Sequence, residues 1–184
     1  MADEANFKCE ECIQFPASCR ECIQKHHQFM PLHNISEAYY HAHTSVKYWK
    51  RVDLSTLGFV LHLGHYGMAC PNIAPPSSPP KKMLVVHRNG MHQVRLVYCQ
   101  CAGAPDNISQ LMEAGFFPAT TEHPQTVFTQ TVIKEFRMHR HESAMTAHAY
   151  HAALQHLTNP VLKGAVEVRM LVYQFRSKLI LLIG

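Results

Sequence analysis

With 184 residues, 47% of them hydrophobic, the chain is long enough to bury one sizeable core, or a small module plus one core, which sets disorder aside. Its formal charge is +4 and its pI near 8.7, a mild basicity that permits an acidic partner such as nucleic acid without requiring one. No apolar run reaches the length of a membrane span, and the opening "MADEANFKCEEC" lacks the cationic and apolar regions of a signal peptide, so a nuclear or cytoplasmic protein, neither secreted nor transmembrane, is expected.

The first element is "KCEECIQFPASCRECIQKHHQFMPLH", Lys8 to His33. A reducing compartment does not keep disulfides, so metal or simple burial must account for the seven cysteines. In C-x2-C two thiolates grip one tetrahedral ion from a tight turn, and a second pair or two histidines at short spacing closes the shell. Zinc is therefore the expected cofactor, with Cys9, Cys12, Cys19, Cys22, His27 and His33 as candidate ligands. Six donors do not divide by four. Either the four thiolates form one site and leave the histidines spare, or Cys9 and Cys12 join His27 and His33. In the second case Cys19 and Cys22 keep half a site, which His41 and His43 of "HAH" can complete. A thioredoxin-like redox pair would need a strand before C-x2-C and a helix after it, and "FKCEECIQFPAS" offers no such pattern. Residues 1–38 are assigned to this module and 39–184 to a second unit.

Further on, "YWKRVDLSTLGFVLHLGHYGMACP" predicts a strand around Phe59 to Leu63, stopped by Gly64 and Gly67 and followed by the Pro-rich loop "PNIAPPSSPPKK". "MLVVHRNGMHQVRLVYCQC" is two β-branched, partly alternating runs about Asn89 and Gly90, a dipeptide suited to a type I′ turn, so a hairpin over about 84–101 is predicted. Its second strand delivers Cys99 and Cys101, two apart and hence on one side. With His65 and Cys70 they make a second candidate set of four donors, and His92 is a possible additional ligand. The competing reading is a pair of buried strand cysteines beside an unrelated loop thiol. Helices are predicted over about 106–183: "DNISQLMEAG" capped by Asp106 or Asn107, a stripe of Phe128, Val132 and Phe136 after Pro124, "MTAHAYHAALQHLTNP", and "AVEVRMLVYQFRSKLILLI". His139, His141, His148, His151 and His156 interleave with polar residues and read as surface histidines. The fold class is α+β: a small N-terminal cross-brace-like zinc module, a central hairpin or small antiparallel sheet carrying the second cluster, and C-terminal helices.

The order "CRECIQKHHQFMPLHNI", "LHLGHYGMACP", "VVHRNGMHQVRLVYCQC", "QLMEAGFFPATTEHPQTVFTQTVIKEF" and "YHAALQHLTN" closely resembles the CxC2-like cysteine-cluster domain associated with KDZ transposases, mobile elements abundant in mushroom-forming fungi. The resemblance covers about residues 8 to 177. It implies that Cys9 and Cys12 pair with His27 and His33, and that Cys19 and Cys22 partner a further upstream C-x2-C. It also implies a metal at His65, Cys70, Cys99 and Cys101. "SEAYYHAHTSVKYWKRV" is longer than the family pattern before "LSTLG", and "QFRSKLILLIG" stops early, so the catalytic transposase domain is expected outside this chain.

No enzyme is expected from the residues either. An RNase H-like transposase needs several converging carboxylates for two metal ions, and the three aspartates here, Asp3, Asp53 and Asp106, are scattered. There is no G-x-S-x-G elbow and no P-loop. A Cys/His hydrolase using Cys70 or Cys99 with His65 or His92 lacks any marked oxyanion hole. The expectation is a zinc-binding accessory module that binds DNA or docks a chromatin or transposase protein, with no small-molecule substrate. A degenerate transposon fragment without present function is the remaining alternative.

Overall fold

The structure, a computed structural model, describes residues 5–72 and 79–158; the expected helix "AVEVRMLVYQFRSKLILLI" lies outside them, as does the middle of the Pro-rich loop. The chain opens with β1 (Phe7–Cys9), α1 (Arg20–His26), β2 (Ile35–Tyr40) and β3 (Lys47–Val52). The three strands form an antiparallel sheet in the order β1-β2-β3, with Cys9 opposite Ile35 and Ile35 opposite Val52. Alternation turns Phe7, Cys9 and Ile35 to one side, where they close a small core with Ile23 of α1 and with Leu54 and Leu57. Strand β2 runs straight through position 38/39, and its hairpin partner extends this layer to Val52.

The second sheet holds β4 (Leu61–His62), β5 (Lys81–His87), β6 (Gly90–Val97), β7 (Phe116–Pro118) and β8 (Thr126–Thr129) in the order β4-β6-β5-β8-β7. Pairs β5–β6 and β7–β8 are antiparallel, whereas β4–β6 and β5–β8 are parallel. Helices α2 (Asn107–Glu113), α3 (Gln130–Ser143) and α4 (Ala147–Thr158) complete the described residues. Both faces of this sheet are covered. Met83, Val85, Val94, Leu96 and Val127 pack with Leu111 of α2 on one side. Val86, Met91 and Phe128 pack with Val132 and Phe136 of α3 and Tyr150 and Leu154 of α4 on the other. The α+β class and the central hairpin are borne out, and the sheet around the hairpin is larger and mixed.

Three expectations change in detail. At the hairpin tip His87 pairs with Gly90, so Arg88 and Asn89 are the turn residues, and Gly90 (φ 131°) alone has positive φ; the turn is not type I′. Glycine is required at 90 by close approach: a Cβ there would lie 2.9 Å from the Thr158 hydroxyl and 3.0 Å from the Arg51 guanidinium. Phe128 belongs to β8 and not to a helical stripe, because the β-branched and aromatic run Thr126–Thr129 pairs in parallel with β5 and buries Val127 and Phe128 on opposite faces. The helix starts one turn later, with Thr129 as its N-cap. His151, expected on the surface, is buried with Tyr150 and Leu154, whereas His141, His148 and His156 are exposed.

Candidate metal centres

The first centre is assembled by one turn and one helix end. Cys9 closes β1, and its sulfur accepts the Cys12 N–H at 3.3 Å, the local turn that a C-x2-C spacing makes. His27 follows α1 directly, and its Nδ1 lies 2.9 Å from the Ile23 carbonyl, so the ring donates there and leaves the Nε2 lone pair free. That Nε2 stands 3.4 Å from Cys12 Sγ, and His33 Nδ1 stands 3.4 Å from Cys12 Sγ and 3.5 Å from Cys9 Sγ. The four donor atoms lie within 4.8 Å of one another. His26, next to His27, is instead stacked on Phe15 at 4.0 Å between ring centroids.

The second centre is built from two loops. Cys70 Sγ lies 3.9 Å from Cys99 Sγ and 3.7 Å from Cys101 Sγ, and His65 Nε2 lies 3.2 Å and 3.3 Å from the same two sulfurs. Strand β6 ends at Val97, so Cys99 and Cys101 converge through the irregular segment after it and not through strand alternation. His65 is delivered by a tight loop in which Gly64, His65, Tyr66 and Gly67 all have positive φ (75°, 46°, 54° and 83°). Left-handed backbone at two non-glycine residues is costly and persists where surrounding structure imposes it. Gly64 must be glycine for a second reason, since a Cβ there would meet the Cys99 Cβ at 3.0 Å.

These separations suit a tetrahedral ion. Bonds of about 2.3 Å to sulfur and 2.0–2.1 Å to nitrogen set sulfur–sulfur edges at about 3.8 Å and sulfur–nitrogen edges at about 3.6 Å. The electrostatics point the same way. Burial first, and the Cys12 thiol after it, push the Cys9 thiol up to about 11 against the pull of the Cys12 and Glu11 amides, and Cys99 and Cys70 push Cys101 up to about 11. Amide hydrogen bonding, from Gln100 foremost, holds Cys70 down at about 6. Packed sulfurs resist carrying negative charge together, and a cation at their centre reverses that cost. Burial holds His27 below the usual imidazole range, in the neutral form a metal takes. Each cluster can hold a metal ion.

A model of the CxC2-like cysteine cluster associated with KDZ transposases matches residues 54–161, more than half of the chain. The chain belongs to this family. No curated protein and no solved structure matches it. The second centre lies wholly inside the CxC2 segment, and the first lies before it.

Of the remaining candidates, Cys19 and Cys22 stand outside both four-donor groups. Cys19 is the N-cap of α1, its sulfur accepting the Cys22 N–H at 3.3 Å. His41 and His43 face each other across 6.0 Å where β2 turns into β3, also outside both groups. His92 is not a reserve ligand of the CxC2 centre: it sits at the hairpin end of β6, buried, with Nε2 bonded to Asn89 at 2.8 Å and Nδ1 3.8 Å from Asp53. Burial and the Arg51 charge push its imidazole down to about 3.

Two supporting residues escaped the sequence reading. Gln110 is buried in α2 and brackets Cys99, its Oε1 accepting the Cys99 N–H at 2.7 Å while Nε2 donates to the Cys99 and Pro105 carbonyls. The sole hint was an amide on the apolar stripe of "NISQLMEAG". Glu11, inside the first C-x2-C, accepts from the Asn34 and Asn89 side chains at 2.7 and 2.8 Å, and Asn89 also donates to the Leu32 carbonyl. The turn of the CxC2 hairpin is thereby docked on the N-terminal metal loop.

Proposed function

We propose that this chain is a non-catalytic, zinc-ordered accessory domain of a KDZ-transposase-derived protein, and that its work is to bind DNA in the nucleus. The observation that carries the reading is the pair of four-donor sulfur and imidazole clusters, one of them inside a segment whose family accompanies transposases. Zinc takes this donor set and geometry, with no redox chemistry of its own, and orders short loops that a small core cannot. Cys9, Cys12, His27 and His33 hold one ion; His65, Cys70, Cys99 and Cys101 hold another. Cys19 and Cys22 belong to neither of these two sites. The zinc module is then the N-terminal layer that β2 and β3 carry on to Val52, and the CxC2 unit follows it.

The aspartates support the absence of catalysis. Asp106 caps α2 by accepting the Ile108 and Ser109 amides, and Asp53 is placed against His92, so neither is free to hold a catalytic ion. Net positive charge supports DNA as the partner. A second reading, docking of a chromatin or transposase protein, is favoured by exposed apolar groups beside the CxC2 centre. Phe29 (72% exposed) approaches the Gly67 position, and Met68 (55%) contacts Gln28. The test is to titrate metal-replete protein into labelled duplex at low and moderate salt. Two to four phosphate contacts give a log–log slope of about −2 to −4. No binding at low salt, together with salt-insensitive capture of a transposase or chromatin protein, transfers the function to docking.

A further inference from the structure

The hairpin β2–β3 lies before the CxC2 segment and serves neither metal centre, yet it gathers the chain's single tryptophan and three of its seven tyrosines. On one face, Trp49 lies between two lysines, with the Lys8 ammonium 4.5 Å and the Lys47 ammonium 4.8 Å from its ring centre. Tyr40, opposite Lys47 in the register, continues this face and is 63% exposed. The residue opposite Trp49 is Ala38, too small to cover the indole. β3 is an edge strand, so the face is open along one side. The reverse face differs: Tyr39 stacks on Tyr48 and donates its hydroxyl to Glu37, which satisfies that pair internally.

We infer that the Trp49–Tyr40 face is a stacking platform for single-stranded DNA. This rests on the DNA reading above and adds the strand state and the surface. An open sheet bearing flat rings needs unpaired bases, because a duplex hides base faces in its own stack. The two ammonium groups that lie over the indole supply the phosphate charge complement, and moving onto phosphate they bare the ring for a base. If the lysines merely brace the hairpin through cross-strand contacts, the rings have no ligand and the face binds nothing.

Trp49 is the chain's only indole and so reports directly. Titrating the full metal-replete chain with a dT 12-mer should quench its emission saturably, and a 12-base-pair duplex should quench it at least tenfold less effectively. By anisotropy, Tyr40→Ala and Trp49→Ala should each weaken dT binding by about five- to a hundredfold. Trp49→Phe should retain most of it. Lys8→Gln and Lys47→Gln, which leave the rings in place, should each flatten the log–log salt slope by about 0.7. Metal content equal to the parent's verifies that each variant is folded. An unquenched Trp49, or dT binding unchanged in folded Tyr40→Ala, overturns the platform; persisting duplex binding would then leave the broader DNA reading standing. Loss of both duplex and single-strand binding removes both. A ribo-oligomer bound more than tenfold tighter than dT overturns the choice of DNA.

Discussion

Replacing Gly64 with alanine should cripple the CxC2 centre while sparing the N-terminal one. The residue has φ 75° and precedes the turn that carries His65, and an added Cβ would lie 3.0 Å from the Cys99 Cβ and 3.7 Å from its sulfur. Gly64 combines that φ with ψ 179°, a backbone region open essentially to glycine alone, which costs alanine about 1–3 kcal/mol. Overpacking against Cys99 adds about 1–3 kcal/mol, since neither the strained loop nor a ligand cysteine can retreat freely. Gly115→Ala is the control: its φ is 79° and nothing lies within 4 Å of the added carbon, so it carries a positive-φ cost without any close contact. The excess of about 1–3 kcal/mol corresponds to about five- to 150-fold weaker metal retention at the second centre. Competition with a colorimetric chelator, read as two kinetic or affinity classes of ion, measures it. Gly64→Ala retaining both ions as tightly as Gly115→Ala does would refute the close-approach argument.

Cys12→Ala should release one ion of two and melt the N-terminal layer while the five-stranded sheet stays folded, because metal binding there is folding free energy; elemental analysis with hydrogen exchange checks both halves. Metal-replete parent protein should carry about two zinc ions per chain by the same analysis, and fewer than one would defeat the zinc assignment. Gln110→Leu should strand the Cys99 amide and carbonyl, costing about 1–3 kcal/mol in urea unfolding and speeding chelation at the second centre only. His92, pushed down to about 3 in the folded protein, stays neutral there while the unfolded chain takes up a proton below about 6.5. Its stabilising effect is thus whole above pH 6.5, falls by about 2 kcal/mol at pH 5 and is exhausted near pH 3. His92→Gln should flatten the pH slope of the urea midpoint over that window, and an unchanged slope would show that another group governs it.

What could be read from the chain alone was whatever short spacing controls. C-x2-C places two sulfurs on one turn whatever surrounds it, Asp106 caps a helix through its own next amides, and two β-branched runs separated by a short polar break make a hairpin, although its turn falls on Arg88 and Asn89. The family resemblance supplied the pairing of Cys9 and Cys12 with His27 and His33, which spacing had left open. Tertiary structure decided the rest, because it depends on partners distant in the chain. Phe128 satisfies a helical stripe with Val132 and Phe136 and a strand position equally well, and it is β5, some forty residues earlier, that recruits it into the sheet. His92 and His65 look alike in sequence, but one is drawn into the interior by Asn89, Asp53 and Arg51, and the other is held out over three sulfurs by a loop of positive φ. Gln110 reads as an ordinary helix residue until the chain after β6 folds back over it and two backbone groups of Cys99 need partners away from water.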